Sequence, residues 1–242
     1  MGVGFLYVEG HYAPLGWSLL RRREPEVVAD VPFRVEPGAP VPVVCILKDA
    51  HLYPVHLDRV SLRVRYPSGR VRELKFRVDE DISQPLWYRV FRFDPEELGD
   101  LKVETFFYGL RRGRPFLVRN DNIRTASHRP FWVLASPHPL PKMKGWHYGD
   151  AHFHSSYTRD QAEFGAPLGA VVEVAKALGL SWFAVTDHSY DLDDRIDSYL
   201  ESDPDLPRWR EFLSEVEGLD FPVLAGEEVS CGSTKGHNIH LL

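Results

Sequence analysis

Cysteine is scarce: Cys45 and Cys231 are the only two in 242 residues. A single pair so far apart builds no disulfide framework, and Cys45, inside the apolar run PVVCILK, reads as a buried strand residue. Long apolar runs are also missing. Nothing approaches the ~18–20 consecutive apolar residues of a membrane-spanning helix. The opening MGVGFLYVEGHYAPLGW has no basic leader and meets Glu9 and His11 too early for a secretory signal. The expected address is therefore cytoplasmic, with no membrane contact. Basic residues are not in excess either. There are 29 Lys and Arg against 35 Asp and Glu, a net charge of -6, which argues against a dedicated nucleic-acid binder. No Walker A loop, G-x-G-x-x-G after a strand, G-x-S-x-G or C-x-x-C is present. At 43% hydrophobic and 26% charged, the chain is neither disordered nor collagen-like, and it can bury one large core or two ordinary ones.

From Met1 to Ser136 the pattern is strand and turn. Val60, Leu62, Val64 and Tyr66 alternate with Ser61, Arg63 and Arg65, then Pro67-Ser68-Gly69-Arg70 supplies a turn, and Leu74, Phe76 and Val78 alternate again. Leu101 to Phe107 repeats the period, and Arg111-Arg112-Gly113-Arg114 turns into Phe116 and Val118. The expectation for residues 1–136 is an immunoglobulin-like β-sandwich. Residues 137–144, rich in proline, read as a linker.

After the linker the period changes. Pro167 to Leu178 sets Leu168, Val171, Val172, Ala175 and Leu178 at helical spacing, with Gly179 as the stop, and SWFAVT follows as a buried strand. Pro207 to Glu217 is a second helix, FPVLAG a second strand and HNIHLL a third. Residues 145–242 thus read βαβαβ, a parallel α/β unit, and the whole chain as an α+β molecule of two domains.

Eleven histidines is a generous count, and five of them lie at or beyond His152. They fall with acidic residues at or just past the predicted strand ends, where α/β sheets place their sites. In Asp150-Ala151-His152-Phe153-His154, residues i and i+2 project from one strand face and can grip one cation together. Asp160 lies in the loop beyond. Thr186-Asp187-His188 leaves the SWFAV strand; Thr186 reads as a strand-end cap, while Asp187 is either a cap or the partner that fixes an imidazole tautomer. Of Glu227 and Glu228, one faces inward, and Glu227, nearer the expected strand end, is the first choice for a carboxylate bridging two cations. His240 is either a ligand or a core histidine, with His237 the loop-side alternative.

In their order these motifs resemble the PHP family (polymerase and histidinol phosphatase), whose pattern is Asp-x-His-x-His-Ser, a helix ending Gly-Leu, Thr-Asp-His, Gly-x-Glu and a His-bearing strand. Here these are Asp150 to Ser155, Gly179-Leu180, Thr186 to His188, Gly226 to Glu228 and Gly236 to Leu242. The resemblance covers residues 145–242. It implies a distorted β/α barrel, of which this chain would hold the first half as a piece of a longer protein. It also implies two or three divalent ions (Mn, Zn or Fe) and hydrolysis of phosphate esters on a phosphorylated small molecule. By motif position, metal roles fall to His152, His154, Asp160, His188, Glu227 or Glu228, and His237 or His240, with Asp187 and Glu227 as the catalytic pair. Two other readings stand beside it. One is a metallohydrolase of a non-phosphate ester or amide. The other is a binding module whose sandwich meets carbohydrate or protein through Trp17, Trp87 or Trp132. Arg159 and Arg195 lie near enough in sequence to meet a phosphate.

Overall fold

A strand with apolar residues on both faces must be covered on both sides, and VPVVCILK is such a strand. The computed structural model describes residues 24–123, 128–159, 164–195, 198–231 and 237–241. The first nine strands are β1 (Glu26–Asp30), β2 (Arg34–Val35), β3 (Val41–Lys48), β4 (Val55–Arg65), β5 (Val71–Ile82), β6 (Leu86–Phe93), β7 (Gly99–Arg111), β8 (Arg114–Arg119) and β9 (Phe131–Ala135). One sheet has the order β1-β3-β6 and is antiparallel throughout. A second runs β2-β9-β7-β4-β5, with β9 and β8 sharing one edge of the long β7. Alternation turns Val60, Leu62 and Val64 of β4 and Leu101, Val103 and Phe107 of β7 inward. They share a core with Val43, Cys45 and Leu47 of β3, all at 0% exposure. Burial pushes the Cys45 thiol far above its usual range, so it stays an inert thiol.

The other face of β3 explains the rest of its composition. Val44 and Ile46 meet Ala170 of helix α1 (Leu168–Leu178), with Val174 alongside. The opposite side of α1, through Leu168, Val172 and Ala175, enters a second core with Phe183, Val185 and Phe212. The apolar residues of α1 therefore cover two faces rather than one stripe, as expected of a helix packed on both sides. Gly179 ends α1 in the left-handed region at φ 83, and a Cβ there would fall 2.7 Å from the Glu36 side chain. Glu36 donates its backbone N–H to Ala177 O at 2.8 Å and accepts the Leu140 N–H at 3.0 Å. It also pairs with Arg34, which donates to His138 O at 2.7 Å. Strand, proline-rich segment and helix end are thereby tied together.

Beyond the proline-rich segment lie β10 (Gly149–Asp150), β11 (Trp182–His188), α2 (Ser189–Asp193), β12 (Asp194–Arg195), β13 (Ser198–Ser202), α3 (Pro207–Glu217), β14 (Val223–Cys231) and β15 (His237–Leu241). The expected α/β half-barrel is not what these residues build. Among the described residues strand far outweighs helix, and the strands gather in separate sheets, so the fold is β-rich. The sheet of this region is open, in the order β10-β11-β14-β15, and β12 pairs with β13 as a separate ribbon. β10, β11 and β14 are parallel, but β15 returns antiparallel to β14. Chain length is the reason. Residues 232–236 are too few for the crossover of a dozen or more residues that a parallel neighbour requires. Among the described residues, no helix is long and apolar enough to cross a membrane.

Candidate metal centre

Strand alternation sorts the polar residues of this sheet onto two faces. Phe183 and Val185 of β11 and Val223 and Ala225 of β14 pack into the helix-side core, as does Phe153. By period 2, Asp187 and Glu227 belong to that same side, and the ladder pairs them. Thr186, His188 and Glu228 turn to the opposite face, where His152 and His154 flank Phe153.

On that face three donors converge. One ligand atom each from His152, His154 and Glu228 lies within 4.8 Å of the other two. His154 Nε2 stands 3.0 Å from Glu228 Oε2, and His152 Nε2 stands 3.6 Å from the same oxygen. Two ligands ~2.1 Å from a common ion, at ~90–120° to each other, are ~3.0–3.6 Å apart. The two imidazoles and the carboxylate therefore fit a divalent cation in both spacing and donor chemistry. The Glu228 side chain is 4% exposed and that of His154 12%, whereas His152 at 47% stands at the open edge. His188, fully buried, meets His154 edge to face with ring centroids 4.6 Å apart and stacks on Tyr190.

The carboxylate first expected to face the site, Glu227, does not. β14 runs on to Cys231, so Glu227 continues the core-facing row of Val223 and Ala225 rather than marking a strand end. Burial, and then the charge of Asp193, push its carboxyl above the usual range. Asp187 is likewise not an imidazole's partner in this arrangement. Fully buried, it accepts from Ser155 N and Ser155 Oγ at 2.6 Å each and from Thr158 Oγ1 at 2.7 Å, which fixes the loop that leaves His154. Gly165 closes over that loop so tightly that a Cβ would lie 1.6 Å from His154 O. Thr186 is more than a cap: its Oγ1 is 2.9 Å from His152 Nδ1.

Asp160 lies outside the described residues. The side chains of His237, His240 and Arg195 do too, although the backbone register sets His240 opposite Glu228 and His237 opposite Cys231. Arg159 is exposed, and its N–H donates to Asp191 Oδ2 at 2.9 Å. Arg208, which no sequence motif singles out, donates to Asp191 O at 2.7 Å and Tyr157 O at 2.8 Å, bracing the loops on both sides of the site. No local pattern marks such a brace. The Thr186 contact, by contrast, could have been found by counting back two residues from His188. Of the tryptophans, Trp87 is core, Trp132 is 58% exposed under the Lys102 ammonium, and Trp17 lies outside the described residues.

Neither a protein-family model nor a curated protein matches the chain.

Proposed function

We propose that His152, His154 and Glu228 hold a divalent cation and that the chain is a metal-dependent hydrolase of phosphate esters on small molecules. The observation that carries the reading is the convergence of two imidazoles and one buried carboxylate, from separate chain segments, within 4.8 Å on one sheet face. Buried carboxylates are rare unless paired or bound to a metal. The motif order that resembles the PHP family adds the reaction class. A cation there would supply Lewis acidity toward a phosphoryl oxygen and acidify a bound water. The protein's part is to orient the donors: Asp187 holds the loop after His154, and Glu228 contributes a hard anionic ligand from a dry strand. His188, beside His154, and His240, opposite Glu228 in the ladder, are the candidates to serve a second ion. Zinc, manganese and iron all suit a mixed imidazole and carboxylate set.

Elemental analysis of protein purified without chelator or added metal tests this, beside a His152→Ala/His154→Ala variant. Stoichiometric metal that is lost in the variant, with chelator-sensitive release of phosphate from p-nitrophenyl phosphate, is the expected result. A parent protein that takes up no Zn²⁺, Mn²⁺ or Fe²⁺ would overturn the reading. Bound metal with turnover of p-nitrophenyl acetate alone would replace the phosphate ester with a carboxylic one.

A further inference from the structure

We infer that Thr186 is a positioning residue for His152: it accepts the Nδ1–H of that imidazole, so that Nε2 carries the lone pair toward Glu228. This rests on the cation site proposed above. A neutral imidazole has one proton for two nitrogens, and only the nitrogen without it can bind a metal. In water the side chain favours the Nε2–H form, which is the wrong one for a ligand that binds through Nε2. His152 is also the most exposed of the three donors, with 47% of its side chain exposed, so a fixed partner on Nδ1 adds to its orientation.

Thr186 can supply it. Its Oγ1 is 2.9 Å from His152 Nδ1, on the far side of the ring from Glu228 Oε2, which lies 3.6 Å from Nε2. The threonine is itself held firmly. It is fully buried, its backbone N–H donates to Phe153 O at 2.8 Å, and β-branching limits its rotamers. The residue after it cannot substitute, because Asp187 faces the other side of the sheet and is engaged by Ser155 and Thr158. Three consecutive residues of β11 thus grip four residues of one segment: Thr186 touches His152, Asp187 holds Ser155 and Thr158, and His188 abuts His154. Metal-bound histidines commonly donate their second N–H to an outer partner, and loss of that partner costs ~10–100-fold in metal affinity.

The test uses the full chain, with Zn²⁺ as the probe and two readouts. The first is the ¹⁵N shift pattern of the His152 ring in metal-free protein, recorded well above the ordinary imidazole pKa of ~6.5. The expected result is a protonated Nδ1 in the parent and in Thr186→Ser, and a shift toward the Nε2–H form in Thr186→Val. The second is calorimetric Zn²⁺ affinity, expected to fall ~10–100-fold in Thr186→Val and to return in Thr186→Ser. A parent ring that is mainly Nε2–H overturns the inference without recourse to any variant, so a misfolded valine variant would not shield it. Thr186→Val with parental affinity and parental tautomer overturns it while the cation site stands. A parent that binds no Zn²⁺ defeats the cation reading instead, and the tautomer in metal-free protein still decides the role of Thr186.

Discussion

His154 Nε2 and Glu228 Oε2 lie 3.0 Å apart although 74 residues separate them in the chain. Nothing local brings them together. They meet because β14 lies beside β11, with Glu228 paired to His188 in the parallel ladder, and β11 in turn holds the segment carrying His152 and His154. Parity then decides which glutamate faces the two histidines. Glu228→Gln is expected to weaken Zn²⁺ binding at least ~100-fold, beyond what the loss of an outer partner usually costs. Glu227→Gln should leave the affinity unchanged. Calorimetric titration of the two variants side by side checks this, and equal losses would mean that β14 is not in the register described.

Asp187 anchors the loop after His154, and the strength of that anchor can be measured in metal-free protein. Asp187→Ala removes one buried acceptor from three donors, and each orphaned buried donor costs ~1–3 kcal/mol. Metal-free protein should therefore lose at least about 3 kcal/mol in urea unfolding. Asp187→Asn should lose less, because the amide still presents one oxygen. A loss below ~1 kcal/mol for the alanine variant would remove Asp187 as the anchor of the 155–158 loop.

Local order was largely legible in the sequence. The alternation of Val60, Leu62 and Val64 and of Leu74, Phe76 and Val78 lies on β4 and β5, and the helix expected over Pro167 to Leu178 differs from α1 only at its capping proline. What escaped depends on partners distant in sequence. The spacing within α1 shows only one of its two buried faces, because the second covering, Val44 and Ile46, lies more than a hundred residues earlier. The motif resemblance implies a barrel, but β14 runs on to Cys231 and leaves only five residues before β15, too few for a crossover. A strand ending at Gly226 favours Glu227, whereas counting on from Val223 and Ala225 along the longer β14 places it on the core side. The three donors to Asp187 could not have been foreseen, since they depend on how the loop after His154 folds back against β11.

Glu36 tests whether the proline-rich segment is a tether or a joint. Its carboxylate accepts the Leu140 N–H and pairs with Arg34, and the side chains of that pair are only 13% and 19% exposed. Glu36→Ala should cost about 1–3 kcal/mol, since it orphans a part-buried amide and takes the carboxylate partner from a part-buried guanidinium that keeps only its carbonyl acceptors. It should also speed tryptic cleavage after Lys142 and Lys144. The outlying Arg92–Glu173 pair, 46% and 33% exposed, is the control. Glu173→Ala should cost no more than ~0.5 kcal/mol and leave the cleavage rate alone. Equal behaviour of the two variants would reduce the joint to an ordinary linker.

Asp191 gives the protein a pH dependence of defined sign. Burial raises its carboxyl above the usual range, only partly offset by the Arg159 N–H bond and by the charges of His188, Arg208 and Arg159. The folded chain therefore keeps this proton to higher pH than the unfolded chain, whose aspartate titrates near ~3.9. Between that value and the raised one, the native state binds more protons than the unfolded state, so this group's contribution to stability declines as pH rises. Asparagine cannot ionise and can still accept the Arg159 N–H. Relative to the parent, Asp191→Asn should gain stability as pH climbs from the unfolded value through the folded one, and hold that gain above it. Urea midpoints of chelated parent and variant, compared from roughly pH 3.5 to 6.5, measure the difference. A gap that narrows with rising pH would show that the surrounding positive charges, not burial, dominate at Asp191.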